Sequence, residues 1–99
     1  MELKIEKMED QTTINIVGRL DTINAGSFLQ QVEALPDSDM TDVLIDCIDL
    51  EYISSSGLRA FISILKRAQK NGGTVKVLNL NNNVKEVFDM TGFSALFGL

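Results

Sequence analysis

Val43-Leu44-Ile45-Asp46-Cys47-Ile48-Asp49-Leu50-Glu51-Tyr52-Ile53-Ser54-Ser55-Ser56-Gly57-Leu58-Arg59 is the stretch whose reading decides the fold. Val43 to Ile45 follows a polar turn and is wholly apolar, the pattern of a strand buried on both faces with helices against it. A short apolar connection then crosses to three serines. Behind them Leu58, Phe61, Ile62, Leu65 and Ala68 form a single stripe at helical spacing. The spacing predicts a helix from about Ser55 to about Lys70, with Arg59, Lys66, Arg67 and Lys70 on its other face. Lys66, Arg67 and Lys70 stand where the negative end of the helix dipole favours cations.

Toward the N-terminus, Leu3 and Ile5 alternate with Glu2, Lys4 and Glu6, as in a half-buried strand. Glu9-Asp10-Gln11 supplies a turn, and Thr13 to Val17 reads as the second strand of a hairpin that Gly18 stops. Asp21-Thr22-Ile23-Asn24 offers side chains able to accept from the open amides of a helix start. Phe28, Leu29, Val32 and Leu35 then recur helically until Pro36 forbids continuation. Toward the C-terminus, Asn71-Gly72-Gly73 ends the long helix and Thr74 to Leu80 reads as a strand. Asn81-Asn82-Asn83 caps a third helix carrying Val84, Val87 and Phe88. Gly92 closes that helix as a residue able to take positive φ. The apolar tail Phe93 to Leu99 is expected to pack on the body, and Phe88, Met90, Phe93 and Phe97 read as core rather than as a sticky surface.

The order is β-β-α-β-α-β-α. It predicts an α/β fold in one domain, residues 1–99: a mixed sheet with an N-terminal hairpin and right-handed parallel crossovers, and helices packed on it. Its 99 residues suffice for one core, and 44% apolar with 23% charged is ordinary globular composition. A net charge of −5 argues against direct binding to nucleic acid, which rewards clustered Lys and Arg. No run approaches the ~18 apolar residues of a membrane span. The first residues alternate like a strand and lack the apolar core of a signal peptide. With one cysteine, Cys47, no intrachain disulfide can form, so a reducing cytoplasm is the expected location.

The serine run is the chemical focus. Open α/β sheets place ligand sites beyond the carboxyl ends of parallel strands. A helix start there presents unpaired amides and partial positive charge, to which an anion on a serine would be suited. Gly57, without a side chain, is expected to leave room for close approach to Ser56. Serine is also among the commonest helix caps, and the residues by themselves leave both readings open.

At this point the sequence resembles the STAS domain family, and within it the bacterial anti-sigma factor antagonists. Gly18-Arg19-Leu20-Asp21 with Ala25 and Phe28 is similar to the first motif of the family. Val43-Leu44-Ile45-Asp46 with Ile53-Ser54-Ser55-Ser56-Gly57-Leu58-Arg59 is similar to the second and most specific one. Gly72-Gly73, the strand after it, and Val84-Lys85-Glu86-Val87-Phe88-Asp89-Met90-Thr91-Gly92-Phe93 are similar to the third. The resemblance implies a partner-switching protein. Unphosphorylated, it would bind an anti-sigma factor that is also a serine kinase, freeing the sigma factor. The kinase would phosphorylate Ser56, the serine before the motif's glycine, and a PP2C-type phosphatase would reset the cycle. Asp21, Ser54, Ser55, Ser56, Gly57 and Arg59 are the partner-binding residues so implied. Ser55 is the rival phosphoacceptor and is assigned a capping role. The family often has Asp where this chain has Ser54, so Asp21 is the carboxylate expected nearest the phosphoacceptor. The same family implies an alternative, a STAS adaptor subunit of a lipid- or anion-transport assembly that is not phosphorylated.

Enzymatic readings fail on inventory. There is no His to act as base for Ser56 or Cys47, and no Gly-rich phosphate loop ending in Lys-Ser or Lys-Thr, so ATP would be the partner's substrate. Cys47 reads as a small buried residue. Asp21, Asp46 and Asp49 could converge on a divalent cation as in phosphoacceptor domains, but a leading hairpin and one missing βα unit fit that arrangement poorly. They read as solvated loop carboxylates, and no cofactor is expected.

Overall fold

The computed structural model describes residues 1–99. Its strands are β1 (Glu2–Lys7), β2 (Thr12–Leu20), β3 (Asp42–Asp46), β4 (Leu50–Ile53) and β5 (Thr74–Leu78). Its helices are α1 (Ala25–Glu33), α2 (Ser55–Lys70), α3 (Asn82–Thr91) and the short α4 (Phe93–Leu96), with one 3₁₀ turn at Asp37–Asp39. The sheet order is β1-β2-β3-β5, and β4 pairs with the far end of β2. The β1–β2 pair is antiparallel and the other pairs are parallel. This is the mixed α/β sheet expected from the sequence.

Register explains the layering. Ile5, Ile14, Ile45 and Val77 are successive partners across the sheet, and the last three are buried under the helices. One residue away in each strand, Glu6, Thr13, Leu44 and Lys76 make a parallel row on the other face, none of it fully buried. The helices thus cover one face. Leu44 is only half-buried, which corrects the expectation that β3 is buried on both sides.

Phe61 of α2 organises the helical layer. Its ring lies 6.1 Å from Phe28 of α1, 5.9 Å from Phe88 of α3 and 6.4 Å from Phe97 beyond α4. Burying each such ring stabilises by roughly 1.5–3 kcal/mol, so α2 is fixed from three sides. Phe88 and Phe97 are core as expected and Phe93 is half-buried, whereas Met90 is 78% exposed and lies outside the core.

Three boundaries differ from the sequence reading. Gly18 does not stop β2. It takes φ 92° at a register shift between Gly18 and Arg19, and β2 continues to Leu20, as expected of a glycine at a bulge. The apolar crossing before the serines contains a strand of its own, β4. β5 ends at Leu78 rather than Leu80, because Asn79 turns the chain with φ 61°. By contrast α2 spans Ser55–Lys70, Asn81 caps α3 by accepting from the Val84 amide at 2.8 Å, and Gly92 closes it with φ 79°.

Candidate functional site

The serine run sits where β2, β4 and α2 meet. The Ser54 amide donates to the Leu20 carbonyl at 2.8 Å, which ties the start of α2 to the end of β2. Ser54 has extended backbone (φ −89°, ψ 171°), and its Oγ accepts from the Gly57 amide at 3.1 Å. Ser54 is therefore the helix cap, and the capping role assigned to Ser55 is corrected. Ser55 is exposed and Ser56 half-buried, in the first turn of α2. Neither of their amides has a hydrogen-bond partner in the chain, as the start of a helix dictates.

Ser54 is only 7% exposed and Gly57 is buried, so neither offers a surface to a partner in this conformation. A Cβ on Gly57 would lie 2.8 Å from Ile53 Cγ1 and 2.9 Å from Leu20 Cγ. The missing side chain makes room for the chain's own core, not for a visitor. It lets the first turn of α2 press onto β2 and β4, and so turns Ser55 and Ser56 outward.

Asp21 builds the neighbouring loop. Its Oδ1 accepts from the amides of Ile23 and Asn24, each at 3.0 Å. Asn24 in return accepts from the Asp21 amide at 2.9 Å and donates to the Arg19 carbonyl at 2.9 Å. The carboxylate serves its own turn and makes no hydrogen bond to the serines. The latched turn brings Thr22 to a groove of about 270 Å³ between α1 and α2, lined also by Leu29, Ser56, Arg59 and Ser63. It leaves Ile23 93% exposed. The sequence reading did not single out Ile23, since a lone apolar residue in a turn carries no periodic signal.

Two further arginine arrangements were not legible. Arg19 lies 4.2 Å over the Tyr52 ring, a pairing that requires the unexpected β4. Arg67, assigned to the solvated face of α2, donates instead to the carbonyls of Val32 at 3.2 Å and Leu35 at 2.5 Å and to Asp37 at 2.8 Å, binding the end of α1.

The other candidates have structural duties. Asp46 Oδ1 accepts from the Ile48 amide and the Asn79 side chain, and no three His, Cys, Asp or Glu side chains lie where they could share a metal ion. Cys47 is buried, and burial pushes its thiol pKa up to about 12, the nearby Asp46 adding to the effect. No helix is long and apolar enough to cross a membrane.

Comparison with known proteins agrees with this fold. The family profile described as "STAS domain" matches residues 2–99. The anti-sigma-B factor antagonist of Bacillus subtilis is 26% identical over 100% of this chain and 90% of its own. An anti-sigma factor antagonist from Mycobacterium paratuberculosis superposes with a TM-score of 0.83 at 21% identity, over 97% of this chain and 81% of its own. The anti-sigma factor antagonist SpoIIAA has been solved in its unphosphorylated form, which superposes at 0.80 with 17% identity over 95% of this chain and 84% of its own. Its phosphorylated form superposes at 0.74 with 16% identity over 95% and 86%.

Proposed function

Since this chain belongs to the STAS domain family, we propose that it is an anti-sigma factor antagonist whose binding is switched by phosphorylation of Ser56. The observation that carries the proposal is the position of Ser56: a half-buried residue on the first turn of α2, lining a groove, on a helix start fixed from beneath by Ser54 and Gly57. The relative from Bacillus subtilis, named an antagonist and matched along the whole chain, favours this role over a transport adaptor.

Unphosphorylated, the chain presents Ser55, Ser56, Arg59 and the Asp21 turn to an anti-sigma factor with serine-kinase activity. The kinase moves the terminal phosphoryl group of ATP to Ser56 Oγ, with loss of the hydroxyl proton and release of ADP. A PP2C-type phosphatase returns the serine by transferring that group to water. The phosphate adds a charge of roughly −1.5 to −2 within the docking surface, while the buried supports of α2 stay in place, so binding changes without refolding. The chain itself contributes no catalysis and works in the cytoplasm, regulating transcription through its partner.

The test titrates wild type, Ser56→Ala and Ser56→Asp against the candidate anti-sigma kinase, with and without ATP. Ser56→Ala should bind as wild type does and stay bound with ATP, and Ser56→Asp should bind more weakly. Wild-type binding indifferent to ATP, or equal affinity for wild type and Ser56→Asp, excludes the switch. Phosphopeptide mass spectrometry distinguishes Ser56 from Ser55.

A further inference from the structure

We propose that Arg59 is an intramolecular receptor for the phosphate on Ser56, so that phosphorylation withdraws a cation from the docking surface as it adds an anion. The inference rests on the assignment of Ser56 as phosphoacceptor and goes beyond it by naming what the phosphate binds.

The chain has three arginines. Arg19 is stacked on Tyr52, and Arg67 is held by two carbonyls and Asp37. Arg59 is exposed and makes no hydrogen bond or ion pair, although the chain carries 14 acidic residues. It follows Ser56 by three positions in α2, a spacing that puts two Cβ atoms about 5–6 Å apart. Long helical side chains lean toward the N-terminus of their helix, which carries the Arg59 guanidinium back toward Ser56.

Both residues line the groove between α1 and α2. The other lining residues are Thr22, Ala25, Gly26, Leu29, Ala60 and Ser63, with no carboxylate among them. Asp21, on the adjoining turn, uses its Oδ1 on the amides of Ile23 and Asn24, and the ion pairs of the chain, Lys7–Asp39, Arg67–Asp37 and Lys85–Asp89, do not join it to Arg59. Nothing in the groove competes for Arg59. A guanidinium's planar fork matches phosphate oxygens two at a time, which a lysine ammonium cannot do. Before phosphorylation Arg59 is available to an acidic partner surface. Afterwards it is turned inward onto the chain's own phosphate, and the partner loses an attraction as well as meeting a repulsion.

The test uses the full chain with phosphoserine genetically encoded at position 56, so no kinase enters it. The phosphate is titrated by phosphorus NMR in wild type, Arg59→Gln, Arg59→Lys and Lys66→Gln. Lys66 is an exposed cation of α2 outside the groove, and its removal controls for general charge. Arg59→Gln should raise the second phosphate pKa by roughly half a unit or more, as expected on losing a cation within reach. Arg59→Lys should give an intermediate value, and Lys66→Gln little change. Arg59 Nε–H should also shift and exchange more slowly in phosphorylated wild type than in the unmodified chain. Equal titration of wild type and Arg59→Gln, or an equal shift from Lys66→Gln, overturns the receptor. A kinase that never modifies Ser56 overturns the switch and leaves this titration unaffected.

Discussion

Ser54 Oγ accepts the Gly57 amide at 3.1 Å from a position 7% exposed to solvent, so the residue that caps α2 is part of the interior. Ser54→Ala would leave that amide buried without an acceptor, at a cost of about 1–2 kcal/mol in denaturant unfolding. Ser54→Asp keeps the acceptor and puts negative charge at the helix start, where the dipole favours it. It should unfold within about 1 kcal/mol of wild type, and Ser56 phosphorylation by the cognate kinase should continue. A large loss of phosphorylation in a folded Ser54→Asp chain would mean that the kinase reads the serine itself.

Gly57 and Gly73 are expected to differ in their response to alanine, because different atoms oppose the added methyl. At Gly57 it would meet the side chains of Ile53 and Leu20 at 2.8 and 2.9 Å, and these can shift. Gly57→Ala should cost about 1–3 kcal/mol, as overpacking does, and should tilt the turn that presents Ser56. At Gly73 the methyl would lie 1.8 Å from the Thr41 carbonyl oxygen, a backbone atom. Gly73→Ala should be the more damaging by thermal melting, without a specific effect on partner binding per folded molecule.

The sequence was most legible where one local rule acts alone. The α2 limits follow from a single apolar stripe, a serine cap and an Asn-Gly-Gly stop, and Asn81 and Gly92 follow from cap chemistry. β4 was hidden because its four residues, Leu50–Ile53, bury only their two ends, which is neither alternation nor a continuous run. The Gly18 bulge was hidden because a glycine that ends a strand and one that re-aims it look alike in sequence. The place of Gly57 in the motif is legible and its purpose is not: which way an absent side chain would point depends on packing, here toward Ile53 and Leu20. The Arg67 clamp joins residues about thirty positions apart, and no local pattern announces it.

Cys47 gives an alkaline signature. Burial raises its thiol pKa from 9.0 to about 12 in the folded chain. The fold therefore favours the protonated thiol. That contribution is complete below about pH 9 and is lost as pH rises toward the folded value. Wild type should lose stability between these limits, whereas Cys47→Ala, lacking the thiol, should show a shallower decline. Thiol reagents at neutral pH should label Cys47 only as fast as the protein opens; rapid labelling of the native chain would contradict its burial.

Arg67 governs the other wall of the groove beside Ser56. Its guanidinium satisfies the Val32 and Leu35 carbonyls at the end of α1 and pairs with Asp37, so it holds α1 against α2. Lysine cannot present that fork, and Arg67→Lys should lose about 1–2 kcal/mol on the scale of one or two charge-assisted hydrogen bonds. Arg67→Ala should lose more, because the aliphatic stem also covers part of the core. The pair has an acid signature too. Hydrogen bonds from Arg67, then Asn71, hold the Asp37 carboxyl below its ordinary pKa of 3.8. A depressed carboxylate stabilises the fold above its unfolded pKa, and that stabilisation is lost as pH falls through the folded value. Asp37→Asn should be less stable than wild type at neutral pH and converge with it as pH falls below about 4, which flattens the acid limb of the stability curve. Amide hydrogen exchange in α1 should accelerate in Arg67→Ala relative to the rest of the helical layer. Uniform acceleration throughout the chain would show that Arg67 supports global stability without specifically holding α1.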